Sequence, residues 1–297
     1  MPRRETQHTP YHSLSSILNL GESQTGVYVG KPSFNEALQQ PHRSAYYCIL
    51  LLTEGTIQQA INIQENLLQP GCMAFTSPGI INWWTPQTER LDGYSLMFTA
   101  DFYSQGTNDV IDLNRFPFFQ WDAVHSIHLN ASHQREIEVL MDRMIKEYEN
   151  KKLKSDSAIR SLINILLIEL ERIYIDIVSF EEENMPKGIK LASSFKCMVS
   201  HQFRENRLVQ EYAEMLNVTA NHLNDTVKSV TGKSAGALIN DMTILESKIL
   251  LDQTDLTIAE IAYHLNFKDP SYFGRFFKKH TGLTPLIYRT KQDPTQL

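Results

Sequence analysis

One short pattern occurs twice near the C-terminal end of this chain, and it limits what the last hundred residues can form. Residues 211–232 read EYAEMLNVTANHLNDTVKSVTG, and residues 260–282 read EIAYHLNFKDPSYFGRFFKKHTG. Glu211, Ala213, Leu216 and Asn217 recur as Glu260, Ala262, Leu265 and Asn266, 49 residues on. Leu223, Val227, Lys228, Thr231 and Gly232 recur as Phe273, Phe277, Lys278, Thr281 and Gly282, 50 residues on. Each copy reads as a short helix, a tight turn at Asn and a second helix, the sequence form of a helix-turn-helix.

The turn chemistry fits. A helix that stops within one residue needs a left-handed backbone position, which Gly or Asn tolerates best. Asn217 and Asn266 stand there. In the second copy Asp269 suits an N-cap and Pro270 a first helical position. Ala213 and Ala262 are small where two helices must approach. Leu216, Val218, Leu223 and Val227 form one apolar face, and Leu265, Phe267, Phe273 and Phe277 the other. Such a unit lays its second helix in the DNA major groove, and two units about one turn of DNA apart can enter successive groove segments. The first recognition helix would present Ala220, Asn221, Asn224 and Asp225, with Lys228 near the backbone. The second would present Lys268, Ser271, Tyr272 and Arg275, with Lys278 and Lys279 behind. Arg275 suits a bidentate guanine contact, with a phosphate contact as the alternative. Asn221 and Asn224 suit adenine edges. Asp225 would repel phosphate, accept from cytosine, or hold a neighbouring Lys.

Residues from about 190 to 291 resemble the AraC-family DNA-binding domain, most specifically TIAEIAYHLNFKDPSYFGRFFKKHTGLTPLIYR, residues 257–289. The family pattern usually has Gly where Asn266 stands, a small polar residue where Gly274 stands, and often Arg at the place of Asp225. The resemblance implies seven helices, a long helix joining the two units, and double-stranded DNA as partner, with RNA polymerase as a further one. ALINDMTILESKILLDQ, residues 237–253, reads as the joining helix, with Leu238, Met242, Leu245, Ile249 and Leu250 at helical spacing.

The net charge of −6 looks wrong for a DNA binder until it is divided. Residues 186–297 hold 14 Lys and Arg against 11 Asp and Glu, net +3, whereas residues 1–185 hold 14 against 23, net −9. The basic excess lies with the repeated pattern. SFEEENMPKG, residues 179–188, marks the change and reads as a linker. The segment MPRRETQHTP has no apolar core and is not a secretory signal. No apolar run reaches the length of a membrane span, so no membrane partner is expected. The three cysteines, Cys48, Cys72 and Cys197, show no metal or redox spacing and read as reduced thiols in the cytoplasm.

The first 120 residues are strand-rich. YYCILLLTEG (46–55) is a continuous β run, TIQQAINIQENLLQPGCMAFTSPG adds short runs broken at Glu65-Asn66, Pro70-Gly71 and Pro78-Gly79, and GYSLMFTADFY (93–103) reads as another strand. These runs suggest a β-sandwich or barrel, and QPGCMAFTSPG with its flanks resembles the cupin-like sensor domain of many AraC-family regulators. Cupin enzymes hold a metal with paired histidines, but here His42 stands alone and Ile80-Ile81-Asn82-Trp83-Trp84 supplies no His. No metal site or cofactor is therefore expected. His125, His128 and His133 read as polar surface residues. No nucleophile elbow, phosphate loop or dinucleotide fingerprint is present, and the chain reads as not an enzyme. A small-molecule effector would sit in the barrel mouth against Arg43, Tyr46, Trp83, Trp84 and Tyr94. Plain packing is the alternative for each.

Residues 131–178 are helical. Ser155 and Asp156 offer N-caps. Ile159, Ile163, Leu166, Leu170, Ile173 and Ile177 then follow a 4-3 seam, the pattern of a coiled-coil contact, and suggest homodimerisation there. The expected architecture is α+β in two domains. An N-terminal cupin-like β-barrel (1–130) is followed by a helical dimerisation segment (131–180) and a linker (181–188). A C-terminal all-α domain with two helix-turn-helix units (189–292) completes the chain. The expected function is sequence-specific transcription regulation controlled by a small molecule or partner. The alternatives are an atypical cupin enzyme with a vestigial DNA-binding module, and a ligand-independent regulator controlled by its level or by a protein partner.

Overall fold

The computed structural model describes residues 26–105 and 112–292; the N-terminal stretch read above as lacking a signal lies outside them. The described residues up to Met185 form one compact unit and those from Pro186 another.

In the N-terminal unit the strands form two antiparallel sheets. One has the order β1-β8-β3-β6-β9, from β1 (Val27–Gly30), β8 (Asp92–Phe98), β3 (Tyr47–Glu54), β6 (Cys72–Thr76) and β9 (Ser126–His128). The other has the order β2-β7-β4-β5, from β2 (His42–Arg43), β7 (Ile81–Pro86), β4 (Ile57–Ile61) and β5 (Gln64–Leu68). No strand pairing among the described residues closes the two sheets into a barrel, so the expected cupin-like β-barrel is corrected to a sandwich of two antiparallel sheets.

β3 is apolar from Tyr47 to Leu52 because this stretch is buried on both faces. Tyr47, Ile49 and Leu51 face helices α2 (Ala131–Asn150) and α3 (Ser155–Asn184) together with Phe116, Phe118 and Phe119. Cys48, Leu50 and Leu52 face the second sheet, against Ile57, Leu68 and Trp84. The unit is therefore three layers deep. Its strand limits differ from the sequence reading at two places. Glu65 and Asn66 lie within β5, and the hairpin turns instead at Asn62, which takes a left-handed φ of 52°. The run 93–103 stops at Phe98, because Thr99 caps a short helix, α1 (Ala100–Ser104), by accepting from the Phe102 amide at 3.1 Å.

The 4-3 seam of α3 is buried in its own chain. Ile159, Ile163, Leu166, Leu170 and Ile173 are at most 5% exposed and belong to the core under the five-stranded sheet, and Ile177 packs against that core. The expectation that these six residues meet a second protomer is corrected: an apolar seam seeks any apolar surface, and here the sheet and α2 supply it. Ser155, expected as an N-cap, lies inside the first turn, and its hydroxyl donates to the Glu147 carbonyl. Asp156 follows it within the helix.

The C-terminal unit contains seven described helices: α4 (Lys187–Gln202), α5 (Val209–Met215), α6 (Ala220–Thr231), α7 (Ala235–Gln253), α8 (Ile258–His264), α9 (Pro270–Thr281) and α10 (Pro285–Gln292). α3 ends at Asn184 and α4 begins at Lys187, so only Met185 and Pro186 of the segment 181–188 are outside helices. α7 is the joining helix. It is buried on more than one face, including Thr243, Glu246 and Ser247, because it packs against α4, α6, α8, α9 and α10.

Candidate nucleic-acid interface

Both copies of the repeat fold alike, and most of the shared residues have a visible task. Glu211 Oε2 accepts from the Arg207 and Leu208 amides, each at 2.8 Å, and so closes the start of α5. Glu260 does the same for α8 in a capping box: its Oε2 accepts from the Thr257 amide at 2.7 Å while Thr257 Oγ1 accepts from the Glu260 amide at 3.2 Å. These bonds hold the Glu260 carboxyl below the usual carboxylate range. The turns are left-handed at Asn217 (φ 54°) and Asn266 (φ 59°). Behind them the Val218 amide donates to the Ala213 carbonyl at 2.9 Å, and the Phe267 amide to the Ala262 carbonyl at 2.8 Å. That is a Schellman closure with Asn in place of Gly.

The recognition helices start on side-chain caps. Thr219 accepts from the His222 amide at 3.2 Å, and Asp269 from the Ser271 amide at 2.8 Å, with Pro270 in the first turn. Lys268 is the inserted residue that lengthens the second turn. Both helices end at a left-handed glycine, Gly232 and Gly282. The repeated threonines close the last turns: Thr231 Oγ1 donates to the Val227 carbonyl and Thr281 Oγ1 to the Phe277 carbonyl, each at 2.8 Å. Leu223, Val227, Phe273 and Phe277 are fully buried, which fixes the rotation of each helix.

That rotation exposes Asn221, Asp225 and Lys228 on α6, and Ser271, Tyr272, Arg275, Lys278 and Lys279 on α9, with Lys268 exposed before it. Ala220 is half-buried. Asn224 is also half-buried, and its Oδ1 accepts from the Ala235 amide at 3.1 Å, tying α6 to the joining helix. This bond gives Asn224 a structural role and leaves the second lone pair of Oδ1 and the Nδ2 group for the expected adenine contact. His222 was not singled out in the sequence, yet it is exposed 50 residues before Tyr272, at the same helical position. The repeat offset itself was the signal that points to it. The two faces differ in charge: α9 and its turn bring Lys268, Arg275, Lys278 and Lys279, whereas α6 brings Lys228 against Asp225.

In the N-terminal unit the five proposed effector residues do not converge. Tyr46 and Trp84 line a cavity between the sheets, with Thr76, Asn82 and Ser95, under a cover of Phe34 and Leu38. Its volume is about 10 Å³, room for roughly one water molecule. Trp84 Nε1 donates to Asn82 Oδ1 at 3.0 Å. Burial raises the Tyr46 phenol and pushes the Cys48 thiol up to about 12, so both are uncharged. Arg43 is buried, and its Nε donates to the Gly79 carbonyl at 2.9 Å. Tyr94 packs on the helix side of its sheet, with the Lys31 ammonium 5.2 Å from its ring. Trp83 alternates with Trp84 along β7 and does not line the cavity. The shared pocket of these five residues is thus corrected: β-strand alternation sends neighbours to opposite faces.

Among the described residues no three His, Cys, Asp or Glu come together as a metal site, and no helix is long and apolar enough to cross a membrane. His128 is exposed and His133 half-exposed. His125, read from the sequence as a surface residue, is instead 6% exposed, and desolvation lowers its pKa to about 4.

Two capped recognition helices on one joining helix give this unit the form of a double helix-turn-helix. Residues 212–291 match the helix-turn-helix domain family. The chain is similar to transcriptional activators and regulators of the helix-turn-helix type. It is 22% identical over 152 residues to the transcriptional activator RhaR of Enterobacter sp. (strain 638), covering 49% of this chain and 52% of that protein. It is 20% identical over 265 residues to the transcriptional activator RhaS of Escherichia coli O157:H7, covering 89% and 92%. The regulator YtdP of Bacillus subtilis (strain 168) is 30% identical over 95 residues, 32% of this chain and 12% of that protein. The chain thus spans about half or less of RhaR and YtdP, and nearly all of RhaS. Among solved structures, the C-terminal domain of AraT from Geobacillus stearothermophilus is 26% identical with a TM-score of 0.34, covering 36% of this chain and 88% of that one. The DNA-binding domain of AdpA, solved with a target DNA, is 18% identical with a TM-score of 0.33, covering 35% and 95%.

Proposed function

We propose that this chain is a cytoplasmic, sequence-specific transcription regulator. It binds double-stranded DNA through α6 and α9 and acts on RNA polymerase at the promoters it occupies. The observation that carries the reading is the pair of recognition helices, capped and rotated alike, with polar and basic side chains facing outward at matching positions. Base readers are Asn221, Asp225 and Arg275, supported by Ser271, Tyr272 and His222. Lys228, Lys268, Lys278 and Lys279 neutralise phosphates. The N-terminal unit senses rather than catalyses. Its inter-sheet cavity is lined mostly by apolar groups, Leu50, Met97, Cys48 and Trp84 among them, with the Thr76 and Ser95 hydroxyls and the Asn82 amide as polar points, which suits an uncharged, largely apolar effector that displaces the Phe34–Leu38 cover. A set of candidate molecules screened by thermal shift and by Trp84 fluorescence tests this: saturable stabilisation with quenching that Trp84→Phe abolishes supports it, and no stabilisation by any of them counts against it.

Homodimerisation belongs to the same proposal, but through the outer face of α3. Ile165, Ile168, Arg172, Ile175 and Ser179 follow their own 3-4 spacing, and Ile165 and Ile175 are 46% and 49% exposed. Such a strip suits the same strip of a second copy. Duplexes enriched by the full chain from a random pool, and their salt dependence, test the DNA reading as a whole.

A further inference from the structure

The segment between α4 and α5 lies outside the repeated pattern, yet its contacts end on the second repeat. The Arg204 carbonyl accepts from Asn266 Nδ2 at 3.2 Å. Arg204 Nη2 donates to Glu246 Oε1 at 2.6 Å, and Glu246, on the joining helix, is fully buried. Arg207 Nη2 donates to the Leu265 carbonyl, and its guanidinium lies 3.8 Å from the centroid of the Phe267 ring. Leu265, Asn266 and Phe267 are the tight turn of the second unit. Meanwhile the Arg207 and Leu208 amides are held by Glu211, the cap of the first unit. One stretch of five residues, 204–208, therefore closes the start of the first helix-turn-helix and grips the turn of the second.

We infer that Arg204, Arg207 and Asn266 form a clamp that fixes the spacing of the two recognition helices, so that Arg207 and Asn266 are positioning residues for DNA reading. The inference rests on the proposed role of α6 and α9. The joining helix is the one covalent link between the units, and two bodies on one rod can still rock about its ends. The clamp adds a second link, through Arg207 and Asn266, beside the Arg204–Glu246 anchor on the rod. It also runs close to the DNA side, since the Phe267 ring is 5.9 Å from that of Tyr272, an exposed residue of the recognition helix. The Asn at this turn gains meaning here. Glycine would adopt the left-handed backbone at least as readily, but it has no amide to reach the Arg204 carbonyl.

The test uses the full chain and a duplex that the wild type enriches from a random pool. Two further duplexes carry one base pair inserted, or one removed, between the two protected segments. Asn266→Gly keeps the turn and loses the clamp bond. Arg207→Lys keeps the charge and loses the planar, forked contact. For each variant, affinity for the parent duplex falls by roughly three- to tenfold, the scale of one lost hydrogen bond. Affinity for the altered duplexes falls much less, so discrimination between spacings shrinks while the salt slope stays at the wild-type value. An unchanged spacing ratio in both variants overturns the clamp. So does an equal loss on all three duplexes, which marks a general contact rather than positioning. If the wild type enriches no duplex, the DNA reading itself falls and the clamp with it.

Discussion

Arg275 and Lys278 lie one turn apart on the same exposed face of α9 but are expected to do different work. Replacing Arg275 by Ala relaxes preference at one or two base pairs, at a cost of about 1–3 kcal/mol against the preferred base. Replacing Lys278 by Ala weakens all sequences alike and flattens the salt slope by about one. Binding-site selection at two salt concentrations separates them, and a uniform loss in Arg275→Ala makes it a phosphate contact. His125 governs a different property. Its buried ring titrates near 4 in the folded chain, below the ordinary histidine value. The unfolded chain therefore takes up the proton first as pH falls. Stability from this group is complete above about pH 6.5, declines towards pH 4, and loses about 3 kcal/mol in total by this linkage. Denaturation of the N-terminal unit across that window measures the slope, and a His125→Asn chain that keeps it refutes the assignment. His125 also shows a limit of reading single residues. Nothing in its local sequence distinguishes a buried from a surface His, because its burial comes from tertiary packing; its carbonyl accepts from the amide of Phe75, 50 residues earlier.

Among the elements, α3 separates what periodicity tells from what it cannot. The 4-3 spacing correctly marks a helix with an apolar seam, but spacing does not name the surface opposite. Leu166 and Leu170 meet their own sheet, so Leu166→Glu buries an uncompensated charge. It is expected to unfold the N-terminal unit or cost about 4 kcal/mol or more. Ile165→Glu with Ile175→Glu, on the outer face, leaves the unfolding midpoint close to wild type and yields monomers by sedimentation at micromolar concentration. A folded monomer of wild type ends the dimer proposal, and a stable Leu166→Glu chain contradicts the packing. The helix-turn-helix elements were far more legible. Their caps, left-handed Asn turns and terminal Gly are local signals, confined to a few residues each. The second sheet was less so, since Asn62 stands between Ile61 and Ile63 with no Gly or Pro beside it, while the nearby Glu65-Asn66 looks more like a break. The structural role of Asn224 was not legible for a tertiary reason: its partner, the Ala235 amide, belongs to the next helix.

At the scale of the whole molecule, charge and repetition together carried the two-part reading, with an acidic strand-rich half and a basic helical half. What the sequence left open was the interior of the first half. Alternation along β7 parts Trp83 from Trp84, Tyr94 on β8 packs on the helix side of its sheet, and the cavity that remains beside Tyr46 and Trp84 is lined by residues such as Thr76, Asn82 and Ser95 that look ordinary one at a time. The C-terminal unit is only modestly basic, so useful affinity needs base contacts from both recognition helices. The most direct measurement is selection by the full chain of duplexes from a random pool, sequenced after binding at two salt concentrations. Two blocks of enriched sequence with centres about 10 base pairs apart, one of them altered by Arg275→Ala, are the expected result. Recovery of unselected sequence, with binding that falls with salt and ignores base order, would contradict the account.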